Sequence, residues 1–222
     1  MVVTGANRGI GLAFVQHYAE MPGVTVIAGC REPKYASELA VLRNVRVEEL
    51  DVASDASVAS FAKAVGEAGH VDLLINNAGL LYRDDIGDAN LIENARQQLD
   101  VNCLGPLRVT QALWPMLEKT PGSKVVNITS RMGSIGDNSS GKYYGYRASK
   151  AALNAITMSM ARDFTGHPVI VLHPGMIKTG MTGGQGDMDA TEAVSRMTKI
   201  IDKITTADSG KFFHRDGQEL PW

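Results

Sequence analysis

Short apolar segments alternate with amphipathic ones along the whole chain, the pattern of strands and helices in turn. Most of the apolar segments are rich in valine and isoleucine, as strands of a parallel sheet are when helices cover both faces. They lie at 1–3, 24–29, 45–50, 71–76, 124–129 and 168–173. Helix-like segments lie between them, near 10–20, 55–68, 91–118, 146–163 and 189–204. This order predicts right-handed crossovers and an α/β fold, a doubly wound parallel sheet with helices on both faces.

No repeat, linker or low-complexity tract interrupts the alternation, so we predict a single domain over residues 1–222. The first strand is unusual because only three residues precede Thr4. A central strand usually has about five or six residues. We therefore expect the natural protein to have a few more residues before Met1.

The composition of the chain argues against several classes of function. Hydrophobic residues make up 44% of the chain and charged residues 21%, with a net charge of −2. Such a chain offers no broad basic surface, so we expect neither nucleic acid nor membrane as a partner. No apolar run is long enough to span a bilayer, and the start lacks the features of a signal peptide. Cys30 and Cys103 are far apart with no ligand-spaced histidines, which predicts a cytoplasmic protein without a metal site.

A glycine-rich segment, TGANRGIG at 4–11, joins the first strand to the first helix. Glycines at such a junction let the backbone turn tightly and approach the pyrophosphate of a dinucleotide, while the helix N-terminus offers free N–H groups to the anion. The segment therefore predicts a dinucleotide site and a Rossmann-like fold. The residues expected to form it are Gly5, Asn7, Arg8, Gly9, Ile10 and Gly11.

Four segments together resemble the short-chain dehydrogenase/reductase family, and they span nearly the whole chain in that family's order. They are TGANRGIG (4–11), Asn76-Asn77-Ala78-Gly79, Tyr146-x-x-x-Lys150 and Pro174-Gly175-x-x-x-Thr179. The tracts SRMGSIGD (130–137), YYGYRASKAALN (143–154) and FFHRDGQELPW (212–222) are similar to the C-factor and sniffer-type carbonyl reductase branch. The resemblance implies an oxidoreductase with a nicotinamide dinucleotide and a carbonyl or alcohol substrate.

The second strand helps to choose the dinucleotide. NAD enzymes of this layout place a carboxylate at its end to bind the ribose 2′-OH, but here it ends Ala28-Gly29-Cys30-Arg31. Arg31 and Arg8 could instead flank a 2′-phosphate, since planar guanidinium groups suit phosphate. Glu32 argues the other way, one residue beyond the expected place. On balance we predict NADP (NADPH) and regard NAD as less probable.

The resemblance assigns the remaining cofactor contacts. Asp51 and Val52, after the third strand, are expected beside the adenine, although Asp51 could also be a helix cap or turn residue. The adenine-ribose side is expected to be lined by Asn77, Ala78 and Gly79. The nicotinamide end is expected to lie over Pro174, Gly175 and Ile177, with Thr179 bonding the carboxamide or the pyrophosphate.

Three tyrosines in the stretch YYGYRASK at 143–150 compete for the acid/base role that carbonyl reduction requires. Residues four apart share a helix face, so Tyr146 pairs with Lys150 and Tyr143 with Arg147. A nearby cation favours the phenolate and lowers the tyrosine pKa. Lys can also join a proton relay whereas Arg cannot, and Gly145 weakens a helix that would include Tyr143. We therefore predict Tyr146 as the acid/base and Lys150 as its partner.

Two further residues complete the expected site. Ser130, at the end of the fifth strand, is positioned to hold the substrate oxygen. Ser134, Ser139 and Ser140 are the other candidates, with Ser134 as a minor rival. Ser130 precedes Tyr146 by 16 residues, more than is usual in the family, which predicts a longer loop. Asn102 resembles a family asparagine that holds a water between the lysine and solvent. It could also be an ordinary buried amide.

The sequence thus predicts a cytoplasmic, NADPH-dependent carbonyl reductase. An alternative is a signalling or redox-sensing protein of the C-factor type that binds the cofactor with little turnover. Relatives often pair through the helices near 91–118 and 146–163, so a homodimer or tetramer is possible.

Overall fold

The computed structural model describes residues 1–222 and contains one seven-stranded sheet in which every neighbouring pair is parallel. The strand order is β3-β2-β1-β4-β5-β6-β7. The strands are β1 Val2–Thr4, β2 Val26–Cys30, β3 Val45–Glu49, β4 Leu73–Asn76, β5 Lys124–Ile128, β6 Val169–His173 and β7 Phe212–His214. The predicted doubly wound α/β sheet is confirmed. Strand β7 was not predicted, because three residues are too few to show a repeating pattern of apolar positions.

Helices lie between the strands, and two features differ from the prediction. The helices are α1 Gly9–Ala19, α2 Ser37–Ala40, α3 Asp55–Gly66, α4 Leu91–Leu99, α5 Gly105–Leu117, α6 Tyr144–Asp163 and α7 Ala190–Ile201. The segment predicted as one helix over 91–118 is divided by a π-helical turn at Asp100–Leu104. The short α2 was not predicted, since four residues carry no helical periodicity.

The core consists of two apolar layers, one on each face of the sheet. Neighbouring strand residues face opposite ways, so Val3 joins the layer under α1 and α7 while Val2 joins the layer under α3 and α5. Phe14 and Met197 are fully buried in the first layer, and Phe61 is nearly so in the second. The two layers cover the sheet and leave its carboxyl edge, where the strands end, for a ligand. None of the helices meets the length and hydropathy needed to cross a bilayer.

A buried polar pair lies between these apolar layers. Asn76 at the end of β4 is opposite Asn127 on β5, and its Nδ2 donates to Asn127 Oδ1 at 2.8 Å. Asn76 Nδ2 also donates to Thr110 Oγ1 of α5 at 3.1 Å, and Asn127 Nδ2 donates to Thr157 Oγ1 of α6 at 2.8 Å. These bonds fix two helices to the strands whose ends carry the candidate site.

Replacing Asn127 tests how much this network stabilises the fold. Asn127→Ala leaves Asn76 Nδ2 with one partner fewer and Thr157 Oγ1 without its donor, which should cost about 2–4 kcal/mol because the groups are buried. In a chain of this size that corresponds to a fall in melting temperature of at least about 5 °C. Asn90→Ala is the control, since Asn90 is exposed and its side chain caps no helix. A melting temperature for Asn127→Ala within about 1 °C of that of the parent would contradict the prediction.

Candidate cofactor-binding and catalytic site

The glycine loop between β1 and α1 is held at distances that only glycine permits. Gly5 and Gly9 have φ of +62° and +56°, in the left-handed region. A Cβ at position 5 would lie 2.8 Å from Ala78 Cα, and one at position 11 would lie 2.2 Å from Gly5 O. The loop therefore folds tightly onto itself and onto the chain after β4.

Thr4 and Asn77 hold this loop in place. Thr4 Oγ1 accepts hydrogen bonds from the main-chain N–H groups of Asn77 and Ala78, each at 3.0 Å. Asn77 Nδ2 in turn donates to the carbonyl oxygens of Thr4 and Gly5 at 3.0 and 3.1 Å. The resemblance expected Asn77 to line the adenine-ribose side, but its amide nitrogen is already used to brace the loop. The pattern of residues gave no signal for Thr4.

The start of α1 fits the pyrophosphate of a dinucleotide. Arg8 is the N-cap and its side chain makes no capping hydrogen bond. The first intrahelical bond is donated by Leu12 to Arg8 O, so the amides of residues 9–11 remain free for an anion. A Cβ at Gly9 would come within 3.3 Å of Thr179 Cγ2, so the loop lies close to the segment after β6.

Ser130, Tyr146 and Lys150 meet at the carboxyl edge of the sheet. Ser130 directly follows the end of β5, and Tyr146 and Lys150 lie one turn apart on α6, all three buried. Lys150 Nζ lies 5.9 Å from the centre of the Tyr146 ring and donates to Ile128 O at 2.8 Å. The expected pair thus shares one helix face.

The rival tyrosines do not share this arrangement. Tyr143 is the N-cap of α6, and its carbonyl accepts the first helical bond from Arg147 N at 2.8 Å. Its backbone is left-handed, with φ +54°, so its side chain does not start in the direction that a helical residue would give it. The Arg147 guanidinium is occupied by the carbonyls of Gly141, Lys142 and Met132 and by Ser140 Oγ. Tyr144 is 46% exposed. Of the three tyrosines, only Tyr146 is buried beside a lysine.

Burial dominates the ionisation of the pair. Desolvation raises the pKa of Tyr146 to about 12, and the polar contact with the Ser130 side chain lowers it only in part. Desolvation lowers the pKa of Lys150 to about 8. The sequence predicted that Lys150 would hold the tyrosine pKa down. In the structure burial outweighs such an effect, so near neutrality Tyr146 keeps its proton.

The other serines are used elsewhere. Ser134 Oγ donates to Trp222 O at 3.1 Å and accepts from the Asp137 main chain at 3.2 Å. Ser140 accepts from Arg147 Nη2 at 2.9 Å and is exposed, as is Ser139. Ser130 is therefore the serine hydroxyl beside Tyr146. The longer loop that follows it is held by an ion pair between Arg131 and Asp137 at 2.9 Å.

Asn102 lies in the π-helical turn and is fully buried. Its Oδ1 accepts from Leu80 N at 2.7 Å, and its Nδ2 donates to Leu80 O at 2.8 Å and to Ser149 Oγ at 3.0 Å. Both amide hydrogens are thus occupied by protein groups. The side chain joins the segment after β4 to α6, as an ordinary buried amide would. It has no free N–H to donate to a water.

The remaining predicted cofactor residues differ in exposure. Arg8 and Arg31 are exposed on neighbouring turns after β1 and β2, and Glu32 is exposed beside Arg31. The Asp51 carboxylate accepts from Ala53 N at 3.0 Å, an internal turn, which is the alternative the sequence left open. Val52 is buried against Gly105, where a Cβ would be 2.9 Å away.

The segment after β6 runs from the end of that strand to the glycine loop. Burial is the largest cause of the low pKa of His173, about 3, and nearby positive charges lower it further. Gly175 has φ +84°, Ile177 is buried, and Thr179 contacts the glycine loop as described. An arginine that the sequence did not indicate, Arg215, donates from Nη1 to Pro174 O at 2.8 Å.

A helix start with free amides and a buried Tyr–Lys pair with a serine lie at one edge of a doubly wound parallel sheet. This combination defines the class of α/β proteins that bind a dinucleotide at the carboxyl edge of the sheet.

Comparison with known proteins identifies the family. A family model described as short chain dehydrogenase matches residues 1–190, and the chain belongs to this family. The C-signal protein of Myxococcus xanthus is 42% identical over 157 residues, which is 69% of this chain and 94% of that protein. This confirms the predicted family and, with the structures below, its C-factor and sniffer branch.

Two solved structures are similar over the whole chain. An NADPH-bound carbonyl reductase from chicken fatty liver superposes with a TM-score of 0.93 at 36% identity, covering 100% of this chain and 98% of that one. The carbonyl reductase Sniffer of D. melanogaster also gives a TM-score of 0.93, at 28% identity, with the same coverage. The chain is therefore a member of an oxidoreductase family whose fold binds a nicotinamide cofactor.

The contact at Gly11 gives a first prediction for the site. Gly11→Ala places a methyl group 2.2 Å from Gly5 O and 2.5 Å from Asn77 Nδ2, so the loop must open. Dinucleotide affinity, measured by fluorescence titration, should fall by at least about tenfold, which corresponds to 1.4 kcal/mol. Gly66→Ala is a matched helical control, because its nearest neighbour would be the Met116 sulfur at 3.9 Å. Equal dinucleotide affinity in Gly11→Ala and Gly66→Ala would contradict this prediction.

Lys150 gives a prediction on stability against pH. Its pKa is about 8 in the folded chain and 10.5 ordinarily, so between these values the unfolded chain binds more protons and unfolding becomes less favourable as pH rises. From pH 7 to 10 the parent should therefore gain up to about 3 kcal/mol of unfolding free energy relative to Lys150→Met. Denaturant titrations at several pH values measure this difference.

Lys199→Met is the control, at an exposed position on α7, and its stability should follow that of the parent across the same pH range. Parallel curves for the parent and Lys150→Met would show that the lysine is not held in a desolvated site.

Proposed function

We propose that the chain is an NADPH-dependent carbonyl reductase in which Tyr146 is the proton donor. The observation that carries the proposal is that Ser130, Tyr146 and Lys150 converge, buried, at the same carboxyl edge of the sheet as the free amides of α1. The similarity to an NADPH-bound carbonyl reductase over the whole chain supports it.

The cofactor would lie along the carboxyl edge of the sheet. The amides at Gly9, Ile10 and Gly11 would hold the pyrophosphate, with Gly5 and Asn7 shaping the loop. Arg8 and Arg31 would bind the 2′-phosphate. The adenine and its ribose would lie beside Asp51, Val52, Ala78 and Gly79, and the nicotinamide beside Pro174, Gly175, Ile177 and Thr179. When bound, NADPH supplies the hydride.

The protein groups handle the substrate oxygen and its proton. Ser130 Oγ donates a hydrogen bond to the carbonyl oxygen, where negative charge develops during reduction. The Tyr146 hydroxyl, which keeps its proton near neutrality because burial raises its pKa to about 12, donates that proton to the same oxygen. The Lys150 ammonium stabilises the phenolate that remains. Asn102 acts indirectly, by holding the segment after β4 against α6.

The protonation state of Tyr146 suits one direction of the reaction. A tyrosine that keeps its proton is ready to act as an acid, as reduction of a carbonyl requires, whereas oxidation of an alcohol would need the phenolate. We therefore propose that near neutral pH the site is prepared for reduction.

The substrate is proposed to be an uncharged, apolar ketone or aldehyde. Large apolar side chains on segments bordering the site are exposed: Ile135 after Ser130, Tyr144 before Tyr146, and Met176 and Met181 after β6. Met181 Cε lies 3.8 Å from the position of a Cβ at Gly79, so this side chain reaches across the cleft. Such a rim favours apolar surface over a charged group.

A second candidate is a cofactor-binding signalling protein with little turnover, which the 42% identity to C-signal favours. Both candidates require NADPH binding, but only the reductase requires turnover. Incubating the protein with NADPH and a panel of small aldehydes and ketones separates them. NADPH binding without oxidation by any carbonyl would favour the signalling role.

The role of Tyr146 is tested with a matched tyrosine. Tyr146→Phe should lower kcat by about 10²–10⁴-fold, the usual contribution of a general acid, while NADPH affinity changes little. Tyr143→Phe, outside α6, should keep the parental rate. Loss of activity in Tyr143→Phe but not in Tyr146→Phe would reverse the assignment.

The choice of NADPH over NADH is tested at the two arginines. Charge-assisted bonds to phosphate contribute about 1.5–3 kcal/mol each. The double variant Arg8→Ala/Arg31→Ala should therefore lose at least about 100-fold in NADPH affinity and keep its NADH affinity. Titration with both cofactors decides, and equal losses would show that neither arginine binds the 2′-phosphate.

A further inference from the structure

Arg215 is a buried arginine that links three segments around the candidate site. It follows β7 directly, and its main-chain N–H donates to His173 O at 2.9 Å. Its Nη1 donates to Pro174 O at 2.8 Å. Arg215 is thus fixed to the end of β6 by one main-chain bond and one side-chain bond.

Gly175 and Arg215 fit each other sterically. Gly175 has φ +84°, and a Cβ there would lie 1.5 Å from Arg215 Nη1. The guanidinium therefore occupies the volume that a side chain at position 175 would need. The path of the Pro174–Gly175 turn depends on this filling, because the turn is otherwise free to move into the same space.

The guanidinium also reaches the flap, which we define as residues 180–187. Its Nη2 lies 3.5 Å from Asp187 Oδ2 at the end of the flap. Asp187 N donates to Met176 O at 2.8 Å, and Gly186 packs so tightly that a Cβ would be 2.5 Å from the same oxygen. These contacts close the flap back onto the segment after Gly175.

The two contacts of Arg215 differ in strength. The bond to Pro174 is buried, whereas the Asp187 side chain is 67% exposed. Exposed ion pairs contribute little and are easily broken. Arg215 Nε is buried without a hydrogen-bond partner and lies 3.9 Å from Asp216 Oδ2, which makes a second, longer ion pair. The charge is therefore held mainly by the turn and by these two weak pairs. The bond to Pro174 is therefore the more stable of the two, and the ion pair with Asp187 is the contact that breaks first.

We propose that Arg215 is a positioning residue that fixes the Pro174–Gly175 turn and, through Asp187, sets the closed position of the flap. The effect on reduction rests on the proposed function, in which this turn lies beside the nicotinamide. Hydride transfer is sensitive to such positioning, since a displacement of about 1 Å can cost 10²-fold in rate.

The test compares Arg215→Met, Arg215→Lys and Asp187→Asn with the control Arg162→Met. Arg162 is an exposed arginine near the end of α6 and shares no ion pair with Arg215. Three measurements are made on the NADPH-bound protein: cleavage by trypsin after Lys178, NADPH affinity, and kcat, KM and the deuterium isotope effect for a small ketone.

The expected results separate the two contacts. Asp187→Asn should raise the cleavage rate after Lys178 by about two- to fivefold and raise KM more than it lowers kcat. Arg215→Met should show faster cleavage, a kcat at least about tenfold lower, and a larger isotope effect because hydride transfer becomes slower. Arg215→Lys should restore the cleavage rate and kcat in part, since it keeps the charge but not the planar guanidinium group. Arg162→Met should match the parent in all three measurements.

Opposite results would overturn the proposal. A folded Arg215→Met with the parental cleavage rate and isotope effect would show that Arg215 only fills space. If Arg215→Met does not fold, Arg215→Lys and Asp187→Asn decide, and parental cleavage in both overturns the link to the flap. If the parent binds NADPH but reduces no carbonyl, the proposed function fails, while cleavage and affinity still test the role of Arg215.

Discussion

Gly5 and Ala78 lie so close that one methyl group on Gly5 would come within 2.8 Å of the Ala78 Cα. This approach brings the loop after β1 against the chain after β4, and Thr4 and Asn77 hold the two together with four hydrogen bonds. The start of α1 and the start of the cleft are thereby fixed with respect to each other. Every proposed role of the cofactor site depends on this distance, since phosphate contacts from backbone amides need a rigid loop.

Burial at the other end of the cleft has a cost to the fold. Tyr146 and Lys150 are both removed from water, and both ionisations shift in the direction of the neutral form. The lysine therefore makes the folded chain less stable below about pH 8 than a neutral residue would. Such a conflict between stability and ionisation is typical of catalytic sites, where buried charge is retained because the chemistry uses it.

The sequence was informative wherever a local pattern carried the signal. Alternation of apolar and amphipathic segments predicted six strands and the succession of strands and helices along the chain. The spacing of Tyr146 and Lys150 predicted a shared helix face. It failed where the deciding contact is distant in sequence. Arg215 meets Pro174 across 41 positions, and no neighbouring residue marks it as buried. The π-helical turn at Asp100–Leu104 likewise contains Asn102, whose bonds to Leu80 join residues 22 positions apart. The pKa of Tyr146 could not be predicted because burial is a property of the whole fold.

The paired amides of Asn76 and Asn127 also have a consequence for how the sheet assembles. Apart from these residues and Lys124 at the start of β5, strands β4 and β5 are aliphatic. Helices cover both faces, so hydrophobic burial hardly distinguishes one alignment of the two strands from another. Sliding β5 past β4 by one or two residues would set each amide against aliphatic side chains, at a cost of several kcal/mol for the unpaired groups. The amide pair therefore selects a single strand register, and with it the alignment of β4 with the end of β5, from which Ser130 follows.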